Sequence, residues 1–137
     1  MKAVSCMKPE TDEWIQKAED DFEIASLLRR RRKHRHYDAI CFHCQQCVEK
    51  YLKARLVEAN IAFPKIHDLA RLLDRALPVE PLWGPMRLPL QALTEYAVEF
   101  RYPGEFAAEK DAHTAYQSCK EIRKLVRESL GLKYSKT

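Results

Sequence analysis

Apolar residues return along this chain in steps of three and four, the period that puts side chains on one face of an α-helix. Trp14, Ala18, Phe22, Ala25 and Leu28 form the first stripe. It opens after Pro9, with Thr11 or Asp12 expected as N-cap and acidic residues in the first turn, where they suit the helix dipole. The second stretch, about Tyr37 to Asn60, is the longest and most apolar. Cys41, Cys44, Val48, Tyr51, Leu52 and Arg55 share a face, flanked by Ile40, Cys47 and Ala54, while His43, Gln46, Lys50 and Lys53 line the opposite side. So broad an apolar arc touches several neighbours at once and predicts a central position.

After a proline-containing loop at 60–66, a short third helix is expected over His67 to Leu77, with His67-Asp68 as cap and first-turn acid. Pro78, Pro81, Gly84, Pro85 and Pro89 mark a connector at 78–87. A fourth helix follows at about Leu88 to Phe100, and Pro103-Gly104 ends the segment after it. The fifth, about Ala107 to Leu130, packs through Ala112, Ala115, Cys119, Ile122, Val126 and Leu130, with Gly131 as its C′ residue. No stretch reads as a strand. The expected fold is all-α, an up-and-down antiparallel bundle of four to five helices. It forms one domain over 1–137 with its core at about 11–130.

Composition narrows what such a bundle can do. Only three glycines are present, which argues against glycine-rich phosphate loops. No apolar run approaches the roughly 18 residues of a membrane span. Met1 to Pro9 has no apolar run of the kind a secretory leader carries. The five cysteines are an odd number, three of them within one helix, and read as reduced thiols of a cytoplasmic protein.

The net charge of +4 is local in origin. Arg29, Arg30, Arg31, Arg32, Lys33 and Arg35 fall within RRRRKHRH at 29–36; without those six, 18 basic side chains face 20 acidic ones. Clustered cations repel one another, so a phosphate-bearing partner is a natural counterpart; the alternative is a solvated helix end matched to its dipole.

Cys41-x-x-Cys44-x-x-Cys47 has the spacing of an iron–sulfur run but lacks the fourth cysteine, position 51 being Tyr51. In a helix the three sulfurs spread over roughly 120° and point inward, so core packing is expected, with no metal and no cofactor. No Ser/His/Asp or Cys/His catalytic set assembles. The stripe His43, Gln46, Lys50 and Lys53 needs solvent or a ligand, and Arg101-Tyr102 offers a cation and a stackable ring.

Three blocks in order, AICFHCQQCVEKYLKARL, HDLARLL and FRYPGEF, resemble the HEPN domain family, and WIQKAEDDFEIASLL with Trp14, Ala18, Asp20 or Asp21 and Ala25 fits its opening helix. The resemblance spans about 11 to 130. It implies an antiparallel helical bundle, a homodimer, and pairing with a small nucleotidyltransferase in toxin–antitoxin-like systems. Some members are metal-independent ribonucleases with an arginine followed four to six residues later by a histidine. Arg101 matches the arginine, but 106–108 are Phe106, Ala107 and Ala108, and the next histidine is His113. Nuclease activity is therefore not expected to carry over.

The favoured expectation is a nucleotide- or RNA-phosphate-binding module. Gln46, Lys50, Lys53, Arg101 and Tyr102 would form the nucleotide site, and Arg29, Arg30, Arg31, Arg32, Lys33 and Arg35 would meet phosphates. The alternatives are a ribonuclease using Arg101 with His113 or His43, and a purely structural module in which Arg101 pairs with a core acid such as Glu49.

Overall fold

The computed structural model describes residues 7–99 and 102–133, without the side chains of 97–99. Arg101 and the end of the fourth expected helix, Phe100, lie outside the described residues. The chain forms α1 (Pro9–Arg29), α2 (Tyr37–Glu58), α3 (Leu69–Ala76), a 3₁₀ helix (Pro81–Met86), α4 (Arg87–Glu99) and α5 (Glu109–Ser129). No strand occurs among the described residues.

Long-range hydrogen bonds set the directions. Thr11 at the start of α1 donates to Glu58 at the end of α2 (2.8 Å), so these two are antiparallel. The hydroxyls of Ser26 and Tyr116 meet at 2.9 Å and Arg123 reaches Glu19, so α1 and α5 are antiparallel too. Arg87 reaches Asp74 while the Leu69 amide donates to Thr94, which folds α3 and α4 into a hairpin. The result is an up-and-down bundle of α1, α2, α4 and α5, with α3 as a short insert. Segment 59–68 doubles back along α2 to deliver it.

The second helix is central: it packs against α1, α3, α4 and α5. Ile40, Cys41, Cys44, Cys47, Val48, Tyr51, Leu52, Ala54 and Leu56 have no solvent exposure. Each fully buried leucine contributes about 1.5–3 kcal/mol. The expected stripes of α1 and α5 face the same core, with Ile15 added to the first.

The ends differ from expectation in instructive ways. The first helix begins at Pro9 with Lys8 in the N-cap position, not at Thr11 or Asp12. Proline at N1 lacks only an N–H that would be unsatisfied there, and its φ is already helical. Thr11 is consequently free to be buried against Glu58. At α3 the cap is Asp68, whose carboxylate accepts from the Ala70 and Arg71 amides at 3.1 and 3.3 Å, while His67 turns away to Glu49. Carboxylate is the better acceptor for backbone N–H.

Two helices end in the same closure. After α5, the Gly131 amide donates to Glu128 and that of Leu132 to Arg127; after α2, the Asn60 amide donates to Val57 and that of Ile61 to Leu56. Gly131 (φ 75°) and Asn60 (φ 60°) hold the left-handed position this motif requires.

Candidate functional site

The polar residues of α2 do not point into a vacant groove. They are drawn to carboxylates on α1 and on α2 itself, in three clusters.

Asp21 on α1 is 7% exposed and accepts from Lys50 Nζ at 2.6 Å, with His43 Nδ1 2.8 Å from its other oxygen. An ionised carboxylate can only accept, so Nδ1 carries the proton and Nε2 of a neutral ring is left as the basic nitrogen. That arrangement orients an imidazole for proton transfer. One turn on, Gln46 donates to Gln45 at 2.8 Å.

Glu49 is the second centre. It accepts from Gln45 (3.0 Å) and Lys53 (2.8 Å), and His67 Nδ1 lies 3.1 Å away. Burial pulls its carboxyl upward, but the bonds from Lys53, Gln45 and His67 outweigh this and hold it below the usual carboxylate value. Lys53, expected on the open polar stripe, is only 7% exposed and also sits over the rings of Trp14 and Phe63 at 5.4 and 5.7 Å. The stripe is broken there because Lys53 leans towards its own helix's Glu49 and the aromatic wall of α1 and the 59–68 segment.

The third centre joins three helices. Arg123 on α5 grips Glu19 on α1 with Nε and Nη2 at 2.7 and 2.8 Å; the Tyr51 hydroxyl also donates to Glu19 and accepts from Arg127 at 2.9 Å. Burial raises the Glu19 carboxyl, yet the bonds from Arg123 and Tyr51 and the nearby arginine charges leave it lowered.

Among the described residues, the cysteines lie inside the core as packing groups. Cys41, Cys44, Cys47 and Cys119 are fully buried. Burial pushes the Cys41 thiol up to about 12, with Asp111 and Asp38 adding to the effect. The Cys44 thiol is raised by its contact with Cys119 and by burial, and that of Cys47 by burial and the same neighbour.

The basic run begins where α1 ends. Only Arg29 is helical; 30–36 form the α1–α2 turn, with His34 and His36 at φ 51° and 54°. Arg29 lies over the Tyr116 ring (4.6 Å), and Arg35 folds back so that Nη2 donates to the Arg29 carbonyl at 3.1 Å. Arg30, Arg31, Arg32 and Lys33 are exposed, and none of their side chains has an ion-pair partner among the described residues. Tyr102 is 65% exposed in the turn before α5. Ala107, five residues on, is tied to Asp38 in the first turn of α2 through its amide (2.6 Å). Lys53 lies 15 residues further along that helix, about 22 Å at 1.5 Å per residue. Lys50 is about 18 Å along by the same measure. Gln46 and Lys50, four residues apart, share a face, whereas Lys53 is set apart by its burial against Glu49. Glu49, offered above as a mate for Arg101, already has three partners. Asp21 and Glu19 were the anchors that periodicity alone did not assign.

Comparison with known proteins agrees with this architecture. The chain is 28% identical to Putative toxin MJ1304 of Methanocaldococcus jannaschii, over 88% of each protein. Its fold is similar to the crystal structure of ST0689, an archaeal HEPN homologue, with a TM-score of 0.69 and 23% identity over 88% of this chain and 97% of that one. No helix among the described residues is long and apolar enough to cross a membrane. The HEPN domain profile matches residues 11–129, nearly the whole bundle, and the chain belongs to the HEPN domain family.

Proposed function

We propose that this protein is the HEPN module of a toxin–antitoxin-like pair, acting as a homodimer that binds nucleotide or RNA phosphate and associates with a small nucleotidyltransferase. Similarity to a protein named as a toxin supports the setting. The observation that carries the binding reading is the α1–α2 turn: four consecutive exposed cations, Arg30 to Lys33, without an acidic partner among the described residues. Such a turn gains most from a polyanion, because each phosphate it neutralises releases counterions. Gln46 and Lys50 are the α2 contacts proposed for a nucleotide, with Arg101 as a further cation and Tyr102, exposed in the turn before α5, as the stacking ring. Lys53 holds Glu49.

Single-stranded RNA binding measured across salt tests this. Replacing Arg30, Arg31 and Arg32 together with glutamine should reduce the log–log salt slope by about 2, roughly 0.7 per lost contact on a single strand. Unchanged slope and affinity would refute the reading. Light scattering of the protein alone and with the co-expressed nucleotidyltransferase reads the assembly.

A second reading, metal-independent RNA cleavage, is favoured by one feature, the Asp21-anchored imidazole of His43. Chelator-resistant cleavage that is abolished by His43→Asn would establish it; no cleavage by the wild type would dismiss it.

A further inference from the structure

We infer that a cavity between the ends of α1, α2 and α5 is a seat for one terminal phosphate, the monoester of a nucleotide or of an RNA end. The inference rests on the phosphate reading of the basic turn and adds a defined pocket, with His113 and Tyr37 as further members.

The cavity has a volume of about 170 Å³ and is lined by Arg29, Arg35, Tyr37, Glu109 and His113 over a floor of Ile40 and Ala112. At roughly 30 Å³ per water it holds about five waters, well short of the ~300 Å³ that encloses a whole small ligand. A phosphate fits with room for its water, and a whole nucleotide does not. A recess of this kind suits a monoester, which has one chain exit, better than a diester, which has two.

Two arginines, Arg29 and Arg35, bring positive charge to the cavity. The N-termini of α2 and α5 meet here, held together by the bond from the Ala107 amide to Asp38. His36 gives α2 no side-chain cap, so the first amides of that helix are open to an anion, whereas α5 starts with the Asp111 carboxylate on the Ala108 amide. The nearby carboxylates Asp38 and Asp111 are engaged with the Ala107 and Ala108 amides. Arg35 is incompletely used. Nη2 donates to the Arg29 carbonyl, Nη1 lies 3.6 Å from Glu109, and Nε is a buried side-chain atom without a partner. A guanidinium with a donor in hand is suited to gripping phosphate through two N–H groups.

Glu109 is the one acidic member of the lining. Its side chain is 70% exposed and the pair with Arg35 is long, so a phosphate can displace it at little cost. It occupies the seat's arginine in the free protein.

The test uses one single-stranded RNA sequence with a 5′-phosphate or a 5′-hydroxyl, read by fluorescence anisotropy, with AMP and inorganic phosphate titrated by calorimetry. The 5′-phosphate should tighten binding at least tenfold. Arg35→Gln should abolish that ratio, Glu109→Gln should widen it, and Arg32→Gln should weaken both RNAs alike. AMP or phosphate binding lost in Arg35→Gln identifies free small phosphates as a source; a ratio seen with RNA alone identifies RNA ends. Equal affinity of the two RNAs, both salt-sensitive, with no binding of AMP or phosphate, overturns the seat and leaves the basic turn as a diffuse contact. No binding of any probe overturns both. Should Arg35→Gln fail to fold, the ratio in Glu109→Gln decides: widened it supports the seat, unchanged it rejects it.

Discussion

Replacing Glu49 with leucine should be among the most damaging single substitutions in the bundle. It removes the acceptor shared by Gln45, Lys53 and His67. Lys53 is 7% exposed, so its ammonium would be left in the core without a carboxylate, while Gln45 keeps the His67 carbonyl at 3.4 Å and its bond from Gln46. Breaking a buried ion pair from one side costs about 3–5 kcal/mol. His67 adds nothing to that sum, because its ring is 81% exposed and water takes the carboxylate's place. For a domain of this size each kcal/mol moves Tm by roughly 3–5 °C, so the melt should fall by about 10–20 °C. Lys53→Met should cost about 1–2 kcal/mol less, since Glu49 keeps Gln45 and His67 and a methionine still packs on Trp14 and Phe63. The Glu49→Leu/Lys53→Met double variant should return to within about 2 kcal/mol of the wild type, as buried pairs replaced by apolar groups commonly do. Urea unfolding followed by circular dichroism at pH 7 yields the full cycle. Additive single effects, each below about 1 kcal/mol, would refute the assignment of Glu49 as a buried, pair-dependent anchor.

Two further outcomes follow from the same interior. Glu19 and Glu49 titrate below their ordinary 4.5 in the folded protein, so their stabilisation is complete above that pH and is lost as pH falls through the lowered folded values. Tm should therefore hold from neutrality to about pH 5 and then drop, more shallowly in Glu49→Gln; superimposable curves would contradict this. Of five cysteines, Cys41, Cys44, Cys47 and Cys119 are buried, so an aromatic disulfide reagent at pH 8 should reach them only as fast as the protein opens. Rapid reaction of more than one thiol per chain would show that the core is not closed.

How far the sequence could be read depended on how local each signal was. The central place of α2 follows from its own residues: nine positions from Ile40 to Leu56 with no exposure declare a helix surrounded on most sides. Gly131 likewise announces its turn. Partners across helices are another matter. Lys50 and Lys53 look alike on the wheel, yet one reaches α1 for Asp21 and the other stays on α2 for Glu49. Which acid each lysine meets depends on the rotation of α1 against α2, which no single-helix pattern encodes. The same holds for Glu19, whose partners Arg123 and Arg127 lie about a hundred residues away on α5. The caps of α1 and α3 differ from expectation for a smaller reason, while α2 starts at Tyr37 as expected. Proline at N1 displaced the threonine two residues after it, and aspartate at the N-cap displaced the histidine one residue before it.

The parallel course of α2 and α5 has a bearing on how this chain leaves the ribosome. The first two helices can pair as a hairpin as soon as residue 58 has emerged, but the face of α2 that carries Cys44, Cys47 and Tyr51 is covered by α5. Roughly fifty residues separate Glu58 from Glu109, about 3–10 s of synthesis at 5–20 residues per second. During that interval the nascent hairpin presents thiols to any oxidant or chaperone nearby, and Glu19 waits for its arginines. The finished protein hides Cys44 and Cys47 completely, so they are most open to attack before α5 has been made.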